Sequence, residues 1–216
     1  MGSRERVLAF DMDGVLFDTE AVKIGAFRDA FTPLCGDAAQ LERIAAYNAT
    51  HRGVPRSEKI RHILAAVLDE PAAREVEVGA HYAVLLEERL RNCVPINGLP
   101  EFLARIGATC YVVSSAPVDE IRSNLHRHDL AEAFHGVFGH PWSKADALSE
   151  ITARHRGTRV LFFGDAPVDR DAAAAAGVAF AAINPNNALA GTACETFDDF
   201  TTLDDATVDL LSSAGR

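Results

Sequence analysis

Short apolar runs that stop abruptly at a polar residue or a glycine recur along the chain. They cover Arg6–Phe10, Cys110–Val113, Arg159–Phe163 and Val178–Ile183, and they stop at Asp11, Ser114, Gly164 and Asn184 in turn. A strand that is buried on both faces of a parallel sheet has this continuous apolar pattern rather than an alternation of apolar and polar positions. The four runs therefore predict buried parallel strands.

Helical patterns lie between these strands. They cover Pro100–Ile106, Val118–His128, Lys144–Arg154 and Asp169–Ala176. Gly177 follows the last of them directly and is placed as a helix C-cap. The alternation of strands and helices predicts an α/β, Rossmann-like fold with a parallel sheet and helices on both faces.

The stretch from about Glu20 to Pro95 breaks this alternation. Its apolar residues recur at helical spacing, and it contains no convincing strand. We therefore predict an α/β core domain of residues 1–18 and 96–216, interrupted by an all-helical cap domain of residues 19–95.

Composition narrows the function classes. The 216 residues include 48% apolar residues and carry a formal net charge of −10, which excludes a disordered chain and disfavours nucleic acid as a partner. No apolar run approaches the roughly 20 residues of a membrane-spanning helix. The four cysteines form no C-x-x-C pair, so neither a zinc finger nor a thioredoxin-type motif is present. We expect a cytoplasmic protein without nucleic-acid or membrane partners, whose attraction for any anion must come from a local positive field.

Carboxylates and hydroxyls follow the predicted strands at the ends where α/β proteins bind ligands. They are Asp11 with Asp13, Ser114 with Ser115, and Asp165 with Asp169. Carboxylates this close repel one another unless a cation joins them, and an all-oxygen donor set favours Mg²⁺. The alternative is that each aspartate caps a helix or loop separately.

Four motifs in chain order resemble those of the haloacid dehalogenase superfamily. The first is the run D-M-D-G-V-L-F-D-T-E from Asp11 to Glu20, and the second is the apolar strand that ends in Ser114-Ser115. Lys144 resembles the lysine of the third motif, and Gly164-Asp-Ala-Pro-Val-Asp169 resembles the fourth. The resemblance covers essentially the whole chain, and the insertion lies where family members carry a helical cap.

The resemblance implies phosphoryl transfer through an aspartyl-phosphate. Asp11 is then the nucleophile, and Asp13 protonates the leaving group and later deprotonates water. Lys144 neutralises the phosphoryl group and pairs with the Asp11 carboxylate. Without the resemblance, Lys144 would be interpreted as a solvated surface charge.

The same resemblance implies the ligands of the metal and of the phosphoryl group. Asp11, Asp165 and the backbone carbonyl of Asp13 hold Mg²⁺, with Asp169 bound directly or through water. Ser114 bonds a phosphoryl oxygen and Ser115 assists; by itself Ser114 is equally an ordinary strand-end hydroxyl.

Two positions depart from the family pattern. Ala166 stands where the fourth motif usually has serine, and Ala145 follows Lys144 where many members have proline. Neither replacement removes a group that the mechanism needs.

The run from His51 to Ile60, H-R-G-V-P-R-S-E-K-I, resembles the substrate-specificity loop of sugar-phosphate members. The resemblance places Arg56, with Lys59 and Arg52 beside it, against a distal anionic or polyol group of the substrate. The alternative is a solvated helix N-terminus with ordinary surface charges.

The resulting hypothesis is a Mg²⁺-dependent phosphatase that acts on a small phosphorylated metabolite such as a sugar phosphate or phosphoglycolate. Asp13 favours phosphate-ester chemistry, because an alkoxide leaving group must be protonated. A phosphomutase of the β-phosphoglucomutase type and a non-catalytic binding or regulatory protein with the same fold are the alternatives. The sequence leaves the oligomeric state, monomer or dimer, open.

Overall fold

The computed structural model describes residues 5–51, 54–183, 189 and 194–214. The chain divides into two compact units, one of Met1–Asp18 with Val94–Arg216 and one of Thr19–Cys93. The predicted insertion, residues 19–95, extends slightly beyond the second unit at its carboxyl end. Its assignment as a cap domain stays a prediction.

A six-stranded sheet forms the centre of the first unit. Its strands are β1 (Val7–Phe10), β2 (Thr109–Pro117), β3 (Gly136–His140), β4 (Val160–Gly164), β5 (Ala179–Ile183) and β6 (Glu195–Phe197). Their order is β3-β2-β1-β4-β5-β6, and every neighbouring pair is parallel. The predicted α/β parallel sheet is confirmed.

The central strand β1 shows why its run is apolar throughout. All four of its residues are buried. Val7 and Ala9 belong to an apolar cluster on one face, whereas the ring of Phe10 contacts other aromatic rings, with its centroid 6.4 Å from that of Phe102 and 6.1 Å from that of Phe200. A strand covered on both faces has no position for a polar side chain until it ends at Asp11.

Strand β2 ends later than predicted, and two further strands were not predicted. Strand β2 continues to Pro117, with a shift of register after Val113, so Ser114 and Ser115 lie within it rather than beyond its end. Strands β3 and β6, which we did not predict, are the two edges of the sheet. They are short and only partly buried, so they lack a long apolar run. The predicted strand end at Asn184 lies outside the described residues.

Nine α-helices are present in the described part of the chain. They are α1 (Glu20–Asp29), α2 (Ala38–Thr50), α3 (Arg56–Ala66), α4 (Glu75–Leu90), α5 (Leu99–Arg105), α6 (Val118–Arg127), α7 (Lys144–Arg154), α8 (Pro167–Ala176) and α9 (Asp205–Ala214). Helix α7 has the predicted bounds, and α8 begins two residues before the predicted Asp169. Gly177 caps α8 at φ 66°, as predicted.

The second unit contains helices α1 to α4 and no strand in its described residues. Its interior is built around the ring of Phe27, whose centroid lies 5.5 Å from that of Phe31 and 6.1 Å from that of Tyr82. The contact with Tyr82 joins α1 to α4. Within the described residues of the whole chain, no helix combines the length and the hydrophobicity needed to cross a membrane.

Candidate active site

Asp11 follows strand β1 directly and is held by a further ladder bond. Its amide donates to the carbonyl of Phe163 on β4 at 2.9 Å, and the residue is buried. Beyond it the chain turns sharply, because the amides of Leu16 and Phe17 both donate to the carbonyl of Met12, at 3.0 and 3.1 Å. The end of the strand and this turn together fix the position of Asp11.

Asp13 lies in the same turn and is partly exposed. It forms an isolated parallel bridge with Phe17. Its carboxylate is near enough to Asp11 to raise the pKa of that residue. A partly exposed carboxyl group beside a buried one is suited to exchange protons with a leaving group or with water.

Gly14 completes the turn, and because it has no side chain the carboxylate of Asp165 can lie close to its backbone. Its φ is +78°, and a Cβ atom built on it would lie 2.2 Å from Oδ2 of Asp165. A side chain at Gly14 would therefore both strain the backbone and push Asp165 aside. Only glycine satisfies both requirements at this position.

Asp169 lies in the first turn of α8 and is completely buried. Its Oδ2 accepts hydrogen bonds from the amides of Asp165 at 3.3 Å and Ala166 at 3.1 Å. Gly164 makes room for it, because a Cβ atom at Gly164 would lie 2.4 Å from the Cβ of Asp169. Asp169 thus organises the loop that carries Asp165.

Lys144 joins two of these carboxylates. It is the first residue of α7, and its Nζ lies 2.9 Å from Oδ1 of Asp11 and 2.5 Å from Oδ1 of Asp169. Only 10% of its side chain is exposed. Burial disfavours the charged ammonium, but the two carboxylates outweigh it and raise the pKa of Lys144. The structure therefore excludes the alternative of a solvated surface lysine.

The surroundings of Asp11 favour the neutral form of its carboxyl group, whereas those of Lys144 favour the charged ammonium. Burial raises its pKa, and the charges of Asp169 and Asp13 raise it further, whereas Lys144 lowers it. The net direction is upward, and further positive charge beside Asp11 would favour its ionised form.

The donor set around Asp11 fits a hard divalent cation. Carboxylate oxygens of Asp11, Asp165 and Asp169 all lie within 4.8 Å of one another. Three carboxylates and one ammonium leave an excess of negative charge, and oxygen-only donors suit Mg²⁺. The carboxylate of Asp13 is not a member of this group. The binding of a metal by the backbone carbonyl of Asp13 stays a prediction.

Ser114 and Ser115 differ in their surroundings. Ser114 is buried, and its Oγ accepts a hydrogen bond from the amide of Ala116 at 3.2 Å, whereas Ser115 is exposed. Because this bond uses Ser114 as an acceptor, its hydroxyl proton can be donated elsewhere. The binding of a phosphoryl group by these residues stays a prediction.

The remaining predicted site residues belong to the second unit. Arg56 begins α3, and its guanidinium carbon lies 4.2 Å from the ring centroid of Tyr82. The Nζ of Lys59 donates a hydrogen bond of 2.6 Å to Oδ1 of Asn48. Arg52 lies outside the described residues.

Sequence reasoning did not identify two buried asparagines, Asn124 and Asn48. Asn124 on α6 donates from Nδ2 to the sulfur of Met12 at 3.9 Å, beneath the turn that follows Asp11. Asn48 on α2 holds Lys59. Both occupy the buried faces of their helices, close to Leu125 and Ile44. An asparagine among the apolar positions of a helical pattern is the signal that could have found them.

Comparison with known proteins adds a family and a set of similar folds. The hydrolase family described as haloacid dehalogenase-like hydrolase matches residues 5–177 of the chain. No curated protein matches the sequence.

Several solved structures share the fold. A predicted phosphoglycolate phosphatase from Haemophilus somnus aligns over 93% of this chain and 96% of its own, with 18% identity and a TM-score of 0.74. A candidate phosphatase from Clostridium difficile aligns over 97% and 100%, with 14% identity and a TM-score of 0.73. A candidate β-phosphoglucomutase from Thermotoga maritima aligns over 97% and 99%, with 19% identity and a TM-score of 0.72. At these identities the likeness establishes the fold and not the substrate.

Proposed function

Because the chain belongs to the haloacid dehalogenase-like hydrolases, we propose that it is a Mg²⁺-dependent phosphatase that acts on a small phosphorylated metabolite. The observation that carries this proposal is the buried arrangement of Asp11, Lys144 and Asp169 beside Asp165. It presents a carboxylate nucleophile, a fixed positive charge and a set of oxygen donors at the carboxyl ends of parallel strands, where α/β proteins bind ligands.

Asp11 supplies the nucleophile. One of its carboxylate oxygens attacks phosphorus in line, and the bond between phosphorus and the leaving oxygen breaks, so that an aspartyl-phosphate forms. Asp13 donates its proton to the leaving oxygen, and the alcohol departs. Asp13 then takes a proton from water as the water attacks phosphorus. Inorganic phosphate is released and the Asp11 carboxylate is regenerated.

Lys144 and the serines support this transfer. Lys144 holds Oδ1 of Asp11 at 2.9 Å, which orients the carboxylate and offsets the negative charge of an approaching phosphoryl group. Ser114 and Ser115 bind phosphoryl oxygens through their hydroxyl groups. Asp169 supports the transfer indirectly, because it holds Lys144 and the loop of Asp165 in place.

Asp11, Asp165 and Asp169 would hold the divalent cation, with the backbone carbonyl of Asp13. When bound, Mg²⁺ supplies positive charge that lets one anion approach another. The three carboxylates within 4.8 Å support this assignment, since their mutual repulsion is otherwise only partly offset by Lys144.

The substrate is selected by the second unit in this proposal. Arg56 and Lys59 bind the part of the substrate remote from the reacting phosphoryl group, and Arg52 belongs to the same predicted loop.

A phosphomutase is the second candidate, because a structurally similar protein is a candidate β-phosphoglucomutase. Both activities use the same nucleophile and differ in whether water or a sugar hydroxyl accepts the phosphoryl group. A panel of phosphorylated metabolites decides between them. Phosphate release identifies a phosphatase, isomer formation primed by a bisphosphate identifies a mutase, and neither product from any substrate would overturn the proposal in favour of a binding or regulatory protein.

A further inference from the structure

The turn that carries Asp13 is contacted by helix α6 at both of its ends. It runs from Met12 to Phe17 and is closed by the amide of Phe17, which donates to the carbonyl of Met12 at 3.1 Å. At its first end, Asn124 of α6 donates to the sulfur of Met12. At its other end, the ring centroid of Phe17 lies 4.9 Å from that of His128, the residue directly after α6. The turn and the helix both belong to the first unit, so α6 supports the segment on which Asp13 lies.

Asn124 is an unexpected residue at its position. Helix α6 buries two other residues, Ile121 and Leu125, and both are apolar, whereas Asn124 is polar and only 5% exposed. A buried amide is unfavourable unless it is hydrogen-bonded, and a thioether sulfur is only a weak acceptor. An apolar side chain would therefore pack against Met12 at least as favourably. Packing alone gives no reason for an amide at this position.

The orientation of the Asn124 amide is fixed by Arg127. The Nη1 of Arg127 donates a hydrogen bond of 2.8 Å to Oδ1 of Asn124. A guanidinium group can only donate, so the amide oxygen faces Arg127 and the amide nitrogen is left to face Met12. Nδ2 accordingly donates to the sulfur of Met12 at 3.9 Å. Arg127, which is exposed, thus determines which atom of Asn124 meets the buried methionine.

The hydrogen bond to its sulfur gives the Met12 side chain a direction that packing does not supply. A methionine side chain is unbranched and flexible, and it fills irregular gaps in several conformations. Met12 is completely buried and stands between Asp11 and Asp13 in the chain. A donor that holds its sulfur therefore restrains the backbone that connects the two aspartates.

We propose that Asn124 is a positioning residue for the proton transfer by Asp13. It holds Met12, and His128 supports the other end of the turn at Phe17, so that the carboxyl group of Asp13 stays within reach of the leaving oxygen. This inference rests on the proposed phosphatase function, in which Asp13 protonates that oxygen. Asn124 acts through Met12 and the turn and not on the substrate itself.

Aryl esters with different leaving groups test this role. Phenolate, which leaves from phenyl phosphate, is more basic than p-nitrophenolate, so its departure depends more on a proton from Asp13. Asn124→Leu nearly keeps the size of the buried side chain and removes its amide. This variant lowers kcat/KM for phenyl phosphate by about tenfold, which is part of the full contribution of a general acid. For p-nitrophenyl phosphate the loss is no more than about twofold.

Ile121→Val is the matched control, because Ile121 is buried on the same helix and has no polar group to offer Met12. It lowers the Tm and leaves the ratio of the two kcat/KM values equal to that of the parent protein. A loss of stability alone does not depend on the leaving group. Equal losses on both esters in Asn124→Leu, or an unchanged kcat/KM for phenyl phosphate, would therefore overturn the inference.

A double-mutant cycle examines whether Asn124 acts through Met12. Met12→Leu removes the acceptor sulfur at nearly constant volume and shifts the ratio of kcat/KM values in the same direction as Asn124→Leu. The double variant has a ratio within about twofold of that of either single variant, because both substitutions remove the same contact. Losses that multiply in the double variant would show that the two residues act independently, which contradicts the inference.

Hydrogen exchange of the full chain judges the support of the turn without any hydrolysis. The amides of Leu16 and Phe17 donate to the carbonyl of Met12 at 3.0 and 3.1 Å, so their exchange rates report how firmly the turn is closed. Asn124→Leu raises both rates several-fold, whereas Ile121→Val leaves them unchanged. Unchanged rates in Asn124→Leu overturn the inference. Raised rates in Asn124→Leu, together with a parent protein that hydrolyses no ester, support the contact between α6 and the turn and contradict the proposed function instead.

Discussion

The ammonium of Lys144 lies 2.9 Å from Oδ1 of Asp11, although Asp11 follows strand β1 and Lys144 begins helix α7, far away in sequence. The same Nζ contacts Asp169, so one cation holds two buried carboxylates. Removal of this cation leaves both carboxylates without their ionic partner, and a buried charge that loses its partner is strongly destabilising.

We therefore predict that Lys144→Met lowers the free energy of unfolding by about 3–5 kcal/mol and kcat/KM by at least about a hundredfold. Urea unfolding and hydrolysis of p-nitrophenyl phosphate measure the two effects. The control is Arg154→Met on the same helix, whose side chain is 53% exposed and pairs with Glu150. If Lys144→Met behaves like this control, the ion pair is unimportant to both fold and catalysis.

A second prediction concerns the divalent cation. In the proposed function Mg²⁺ is held by Asp11, Asp165 and Asp169 of the folded protein, so we predict that it stabilises the fold by about 2.7 kcal/mol at a hundredfold excess over its Kd. Chelation by EDTA removes both this stabilisation and the hydrolysis, and added Mg²⁺ restores them.

Asp165→Asn weakens the rise of Tm with Mg²⁺, since one ionised oxygen donor is lost. Asp171→Asn is the matched control, because Asp171 is an exposed residue of α8 that pairs with Arg170. A Tm that responds to Mg²⁺ equally in both variants would place the cation elsewhere, and hydrolysis that persists in EDTA would remove it from the mechanism.

A third prediction compares alanine substitutions at two glycines with positive φ, only one of which lies close to another residue. The comparison distinguishes the effect of backbone strain from the effect of steric displacement. Gly14 has φ +78° and a Cβ there would lie 2.2 Å from Asp165, whereas Gly157 has φ +89° and no atom within 4 Å of such a Cβ. Each substitution by alanine costs about 1–2 kcal/mol of stability through strain. Gly14→Ala in addition displaces Asp165 and lowers kcat by about a hundredfold.

Urea unfolding and steady-state kinetics on both alanine variants provide the measurement. Gly157→Ala retains the activity of the parent protein in spite of its lower stability. Equal activity in the two variants would show that the close approach of Gly14 to Asp165 has no part in the reaction.

The sequence predicted the aspartates of the candidate site better than it predicted the edge strands and the residues that pack around the site. Asp11 directly follows one of the continuous apolar runs and Asp165 follows another after a single glycine, and such runs identify central strands without knowledge of any partner. Edge strands β3 and β6 are short and partly exposed, so their pattern did not separate them from loops. The closeness of Gly14 to Asp165 and of Asn48 to Lys59 depends on how distant segments pack, which local periodicity does not contain.

The fourth prediction concerns Arg56. Its guanidinium lies on the ring of Tyr82 and has no carboxylate partner among the described residues. Arg56→Ala therefore reduces kcat/KM for the small phosphorylated metabolite that is the best substrate by about tenfold or more, as expected for the loss of one charge-assisted contact. The same variant reduces kcat/KM less for p-nitrophenyl phosphate. Arg91→Ala removes an exposed arginine that pairs with Glu87 and leaves both values unchanged. Equal losses on both substrates in Arg56→Ala would contradict a role in specificity.

The most direct test of the central claim is to trap the phosphorylated enzyme. The protein is mixed with a ³²P-labelled phosphate ester and Mg²⁺, quenched in acid, digested and analysed for the labelled peptide. We predict that the label is on the peptide containing Asp11, and that Asp11→Asn shows neither label nor hydrolysis while its Tm demonstrates an intact fold. Asp11→Asn that turns over at the parent rate, or a label on a peptide without Asp11, would contradict the assignment of the nucleophile.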